Sequence, residues 1–185
     1  MLLTKADTLP VGGDWIYEPK LDGWRILAYT SPEQTTLVTR SERTCTSEFP
    51  VIVDQLQVAV HGLSAVLDGE MLGFIEGNQH NVHAVHKKNT RKVYCVFDLL
   101  ELGGEPLIRY PWQERRRLLE EVLTPQDGIQ LCEYDSDLKA MQEAAQELGL
   151  EGVVAKRITS RYSPGMRSKN WYKWKFNPHA RGWKR

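Results

Sequence analysis

Glu18-Pro19-Lys20-Leu21-Asp22-Gly23-Trp24-Arg25 is the stretch from which the rest of the chain can be read. Pro19 fixes its own φ and turns Glu18 towards an extended backbone. Asp22-Gly23 is a turn signal, because glycine tolerates φ > 0. The pattern predicts a strand over 15–17, a second over 24–29, and Lys20 held on the tight connection between them. A carboxylate flanks Lys20 on each side and Arg25 follows close behind. A protonated lysine has no lone pair, so a nucleophilic role asks for desolvation or neighbouring cations to lower its pKa. From the octapeptide alone, that role and an ordinary surface lysine in a β-turn stand level.

Working outward, the chain has 185 residues, 41% apolar and 26% charged, which fits one soluble globular domain or one lobe of a larger enzyme. No apolar run reaches the roughly 20 residues of a membrane span, and MLLTKADTLP has no signal-peptide core, so a cytoplasmic protein without a membrane partner is expected. Cys45, Cys95 and Cys132 are far apart with no CxxC spacing, and read as reduced thiols. The net charge of zero hides a split. Residues 152–185 carry ten Lys or Arg and no acid, leaving fourteen basic against 24 acidic residues in the first 151, a net of −10. The basic segment is interleaved with Tyr162, Trp171, Tyr172, Trp174, Phe176 and Trp183, a footprint for polyphosphate or a nucleic-acid backbone.

Further strands are expected over 35–39, 64–67 continued by 71–75, 93–100, 129–133 and 171–176. Helices are expected over 51–60 behind Pro50, over 113–123 behind Pro111, and from an N-cap at Ser136 to Leu148. In the last of these Leu138, Met141, Ala145 and Leu148 form an apolar stripe. Arg115, Arg116 and Arg117 read as a solvated helix face. Asp98 lies inside an otherwise apolar strand and therefore needs a partner. Residues 160–170 read as a loop. In the final strand Trp171, Lys173 and Lys175 share one face, and Tyr172, Trp174 and Phe176 the other. His80, His83 and His86 recur every third residue without a carboxylate or cysteine to complete a metal site, so the polar stretch 76–92 reads as a solvated segment. With no repeat, linker or second-domain boundary, a single domain over 1–185 is expected.

The candidate residues stand in an order that resembles the covalent nucleotidyltransferase superfamily, the ATP-dependent polynucleotide ligases and mRNA capping enzymes. Lys20-Leu21-Asp22-Gly23-Trp24-Arg25 is similar to its motif I, Arg40-Ser41 to motif Ia, and Asp68-Gly69-Glu70 to motif III. Val96-Phe97-Asp98 resembles motif IIIa, Glu151-Gly152-Val153-Val154-Ala155-Lys156 motif IV, and Trp171-Tyr172-Lys173-Trp174-Lys175 motif V. Phe97-Asp98-Leu99-Leu100 with Gly103-Gly104, Glu114-Arg115-Arg116-Arg117-Leu118 and Tyr162-Ser163-Pro164-Gly165-Met166-Arg167-Ser168 further resemble ATP-dependent DNA ligases, especially the bacterial end-joining type.

The resemblance implies an α+β fold: two mainly antiparallel sheets with flanking helices and a nucleotide cleft between them, similar to ATP-grasp proteins. It implies an adenylation domain in which Lys20 attacks the α-phosphorus of ATP, forms lysyl-AMP, and passes AMP to a 5′-phosphate at a nick in double-stranded DNA. Nucleotide contacts fall on Glu18 at the adenine edge, Glu70 at the ribose, Phe97 stacked on the base, and Arg25, Arg40, Lys173 and Lys175 at phosphate. Mg²⁺ falls to Glu151 with Asp68. Lys173, Lys175 and Arg25 would lower the Lys20 pKa. Relatives continue into an OB-fold domain; none is expected within this chain, so such a domain or another repair protein would be supplied separately. A bacterial cytoplasm or nucleoid follows. Other readings stay open: a module that docks ATP or nicked DNA without turnover, and an RNA ligase or capping-type enzyme. Taken residue by residue, Phe97 also fits plain core and Glu151 a structural ion pair.

Overall fold

The computed structural model describes residues 1–75, 82–87 and 89–176. In chain order its strands are β1 (Leu2–Lys5), β2 (Trp15–Pro19), β3 (Trp24–Thr30), β4 (Thr35–Thr39), β5 (Ala65–Phe74), β6 (Arg91–Leu102), β7 (Glu105–Pro106), β8 (Ile129–Leu131), β9 (Gly152–Arg157) and β10 (Arg167–Lys175). Its α-helices are α1 (Pro50–Ala59), α2 (Trp112–Val122) and α3 (Leu138–Glu147). This is the expected mixed α+β class, with two sheets, most strand pairs antiparallel, and few helices. Among the described residues no helix is long and apolar enough to cross a membrane.

The chain divides into two compact units that interleave along the sequence. One is built from Met1–Leu21, Tyr110–Gln113 and Cys132–Arg185; the other from Asp22–Arg109 and Glu114–Leu131. No composition shift marks a boundary because each unit is assembled from separated stretches.

The first unit holds a four-stranded sheet in the order β1-β10-β9-β2. Trp15, Tyr17, Val153 and Ala155 are buried on one face with Met141 and Ala145 of α3, and Tyr172, Trp174 and Phe176 pack against that cluster. The alternation along β10 therefore falls as expected, with the aromatics inward and the lysine positions opposite. Three details differ. α3 is capped by Asp137, whose carboxylate accepts from Lys139 N at 2.8 Å and Ala140 N at 3.3 Å, rather than by Ser136. Leu148 is 72% exposed, one turn too late to reach the core. β10 begins at Arg167 inside the expected loop, because β1 pairs with it in parallel across an irregular register, Leu2 with Arg167 but Thr4 with Tyr172.

The second unit holds a six-stranded sheet, β4-β3-β5-β6-β7 with β8 beside β6. Its core gathers Ile26, Leu37, Leu67, Met71, Tyr94, Val96 and Leu99 from the sheet with Ile52 and Leu56 of α1, Leu119 of α2 and Leu123 just after it. Asp98 finds its partner here. Arg115 Nε and Nη2 reach its two oxygens at 2.7 and 2.8 Å, and both side chains are fully buried. Arg115 is thus interior, and so is Arg116 at 5% exposure; only Arg117 lies on a solvated face.

Candidate active site

In the first unit the site grows from backbone register. Lys20 follows the end of β2, and its N–H donates to the Gly152 carbonyl at 2.9 Å. Phe176 N donates to the Glu151 carbonyl at 3.1 Å. Lys175 pairs across the sheet with Gly152. A Cβ at position 152 would stand 2.0 Å from the Trp174 carbonyl oxygen, so only glycine lets β10 come this close. Three distant stretches thus meet at Glu151-Gly152. There the Glu151 carboxylate is shared: Lys20 Nζ pairs with one oxygen and Lys175 Nζ with the other. Lys20 is 14% exposed, Glu151 25% and Lys175 51%. Lys173 lies two residues before Lys175, opposite Val154.

Lys20 and Lys175 thus stand side by side on one carboxylate, which offsets the charge of both ammonium groups. As an ammonium in an ion pair, Lys20 has no lone pair until its proton leaves.

Glu18 is also in this unit, but interior. It is 3% exposed, and Lys156 Nζ lies 2.8 Å from one of its oxygens and 2.7 Å from the other. The same ammonium sits 4.3 Å from the centroid of the buried Trp171 ring, an added cation–π contact. Lys156 is therefore the counter-ion of Glu18. Glu18 and Lys156 share the face of the sheet opposite the aromatic cluster, on strands that pair directly.

The second unit carries the other candidates. β3 and β5 run in register, Arg25 beside Glu70 and Leu27 beside Asp68. Arg25 Nε and Nη2 lie 3.0 and 2.6 Å from the two Asp68 oxygens. Asp68 is wholly buried, while Arg25 remains 21% exposed and lies 5.5 Å from the centroid of Phe97. Glu70 Oε1 accepts from Gly23 N at 3.0 Å. Gly23 is needed at that approach, since a Cβ there would come within 2.2 Å of the Met71 carbonyl oxygen. Phe97 is half-buried on β6 rather than plain core. Arg40 is exposed at the end of β4 and lines a cavity of about 420 Å³ with Trp24, Arg25, Thr39, Ser41 and Arg43.

The two carboxylates expected to hold Mg²⁺ differ in fitness. Glu151 is a reachable oxygen donor between two exchangeable ammonium partners. Asp68 is not: both of its oxygens are occupied by Arg25 inside the second unit. Among the described residues no group of three or more His, Cys, Asp and Glu could hold a metal by itself, so a bound ion would need ligands from elsewhere. Of the histidines, His86 packs edge-on against Trp24 at 4.2 Å, and His80 lies outside the described residues.

Comparison with known proteins follows the same outline. The family described as ATP dependent DNA ligase domain matches residues 5–175. The chain is 30% identical over 188 residues to the DNA ligase of Thermococcus onnurineus (strain NA1), covering 91% of itself and 33% of that protein. It is 33% identical over 174 residues to the multifunctional non-homologous end joining DNA repair protein LigD of Mycobacterium tuberculosis (strain ATCC 25618 / H37Rv), covering 86% of itself and 21% of that protein. Among solved structures it is similar to the mycobacterial DNA ligase D complexed with ATP and MES, with a TM-score of 0.83, 30% identity, and coverage of 94% of this chain and 58% of that one. The chain thus spans about a third of the first of these curated relatives and about a fifth of the second.

Proposed function

We propose that this chain, which belongs to the ATP-dependent DNA ligase domain family, is the part of a ligase that loads AMP onto Lys20 from ATP and passes it to the 5′-phosphate of a nick in duplex DNA. The observation that carries the reading is the shared carboxylate: Lys20 and Lys175, 155 positions apart in the sequence, are brought onto one Glu151 side chain. Attack forms a bond between Lys20 Nζ and the α-phosphorus and breaks the bond from that phosphorus to the pyrophosphate oxygen. The ammonium proton must depart first.

Glu151 holds that ammonium in place and stands beside Lys175, whose charge, with that of Lys173, suits the α-phosphate as negative charge develops on it. Glu151 would also hold Mg²⁺, which when bound supplies charge neutralisation for the pyrophosphate leaving group. Asp68 is left out of that role and keeps Arg25 in place instead. Glu70 is assigned to the ribose hydroxyls, Phe97 to the base, Arg25 and Arg40 to phosphate, and Glu18, fixed by Lys156, to the adenine edge. An OB-fold domain or another repair protein, supplied separately, is proposed to hold the nicked duplex. A bacterial cytoplasm is proposed as its compartment, whose reducing conditions suit the three buried cysteines.

The test is to incubate the protein with α-labelled ATP and Mg²⁺, denature it, and look for label on the polypeptide, then chase with a 5′-phosphorylated nicked duplex. Label that transfers to DNA is the expected result. ATP binding by calorimetry without label would make the chain a docking module. Label from GTP in place of ATP would make it a capping-type enzyme, and transfer to nicked RNA alone an RNA ligase.

A further inference from the structure

The cavity at the end of β4 has a member that the proposed function leaves unused. It is lined by three guanidinium groups, Arg25, Arg40 and Arg43, with the Trp24 ring and the Thr39 and Ser41 hydroxyls between them. A tight turn sets this geometry. Thr39 N donates to the Arg43 carbonyl and Glu42 N to the Thr39 carbonyl, both at 2.9 Å, while Glu42 takes φ of 62°. Arg40, Ser41 and Arg43 are thereby gathered on one rim.

The three cations are not equivalent. Arg25 is spent on the buried Asp68. Arg40 forms no ion pair among the described residues. Arg43 pairs with Glu48, but that pair is exposed, 52% on the arginine and 40% on the carboxylate. An ion pair so close to bulk water is held weakly and is readily exchanged for another anion. Arg43 also stands 5.7 Å over the centroid of Trp24, whose ring is braced edge-on by His86 and Phe49. A guanidinium resting on a fixed aromatic face is already oriented and loses little freedom when it takes a phosphate in its fork.

We propose that Arg43 is a nucleic-acid contact: with Arg40 it grips one phosphodiester of the DNA strand, leaving Glu48, its resting counter-ion, for the strand phosphate while Trp24 keeps it aligned. The strand is favoured over the ATP triphosphate because the rim is open to solvent and carries its cations at the surface. The assignment rests on the ligase reading given above.

The experiment is fluorescence anisotropy of the full chain with a 5′-phosphorylated nicked duplex over a series of salt concentrations, run beside AMP loading from α-labelled ATP. Arg43→Ala is expected to weaken duplex binding several-fold and to lower the slope of log K against log salt by about 1, the loss of one phosphate contact. That loss exceeds any fall in AMP loading. Glu48→Gln, which frees the guanidinium, tightens duplex binding a few-fold at low salt. A wild-type chain that does not bind the duplex overturns the proposal, as does an Arg43→Ala protein with unchanged affinity and slope. So does AMP loading that falls as far as DNA affinity, which would assign Arg43 to ATP. Failure of the ligase reading looks different: no label on wild-type protein, whatever the salt slope shows.

Discussion

Lys156 with Glu18 and Lys20 with Glu151 are the same chemical pair on the same four-stranded sheet, and they differ in exposure. The first pair is 2% and 4% exposed, with both carboxylate oxygens on one ammonium and an indole against it. The second is 14% and 25% exposed, and its carboxylate is split between two ammonium groups. Once desolvated, an ion pair is hard to part, because the charge left behind has no water to return to. Near the surface the same pair is worth about 0–1 kcal/mol and its partners can be exchanged. A lysine that must give up its carboxylate, lose a proton and meet a phosphorus atom has to be of the second kind. The sheet thus uses one salt bridge to fix its interior and carries a second whose partners can exchange, as the role proposed for Lys20 requires.

The largest expected effect tests the interior pair. Lys156→Met strands the Glu18 carboxylate and should lower unfolding free energy by about 3–5 kcal/mol, measured by urea titration. Adding Glu18→Leu should recover most of that loss, since an apolar pair removes the orphaned charge. A single variant as stable as the parent would erase the distinction. The second unit offers the same test in Arg115→Ala, where a wholly buried Asp98 loses its partner; a loss of about 3–5 kcal/mol is again expected.

The half-buried pair should respond the other way round. Glu151→Gln is expected to change stability by no more than about 1 kcal/mol. It should slow AMP loading by about 10–100-fold, equivalent to roughly 1.4–2.7 kcal/mol on the barrier. A variant that loads AMP at the parental rate but melts early would make Glu151 a structural residue after all.

The smallest effect isolates burial without an ion-pair partner. Cys45 is 1% exposed, and burial first, then the nearby Glu48 charge, pushes its thiol up to about 11 from 9.0. Because the folded state keeps its proton while the unfolded chain loses it, this group costs stability as pH rises through 9 towards 11. The loss is about 1.4 kcal/mol at pH 10. Cys45→Ala should flatten the fall in melting temperature between pH 8 and 10 relative to the parent; an identical slope in both proteins would contradict it.

Much of this was legible in the sequence. The strands around Lys20 and the alternation of aromatics and lysines along β10 follow from local pattern, because each is decided by residues a few positions apart. So does the need of Asp98 for a partner. The identity of that partner was not legible. Arg115 sits in a run of three arginines, and only the turn of α2 over the sheet selects which faces inward. Asp68 was assigned to Mg²⁺ by resemblance alone, and Arg25, 43 positions away in sequence, is brought to it only by the pairing of β3 with β5. Lys156 and Arg43 were missed for the same reason. Their partners, Glu18 and Trp24, are fixed by strand pairing and by a turn with positive φ, neither of which is written in residue type alone. The two interleaved units left no local mark, since each is closed by stretches far apart along the chain.

Whether Lys20 Nζ is the atom that receives AMP is read most directly by peptide mapping with mass spectrometry after incubation with ATP and Mg²⁺. One AMP is expected, on the peptide containing Lys20, with no adduct in Lys20→Ala protein whose melting curve is otherwise intact. An adduct on any other peptide, or one that survives in Lys20→Ala, would contradict that assignment.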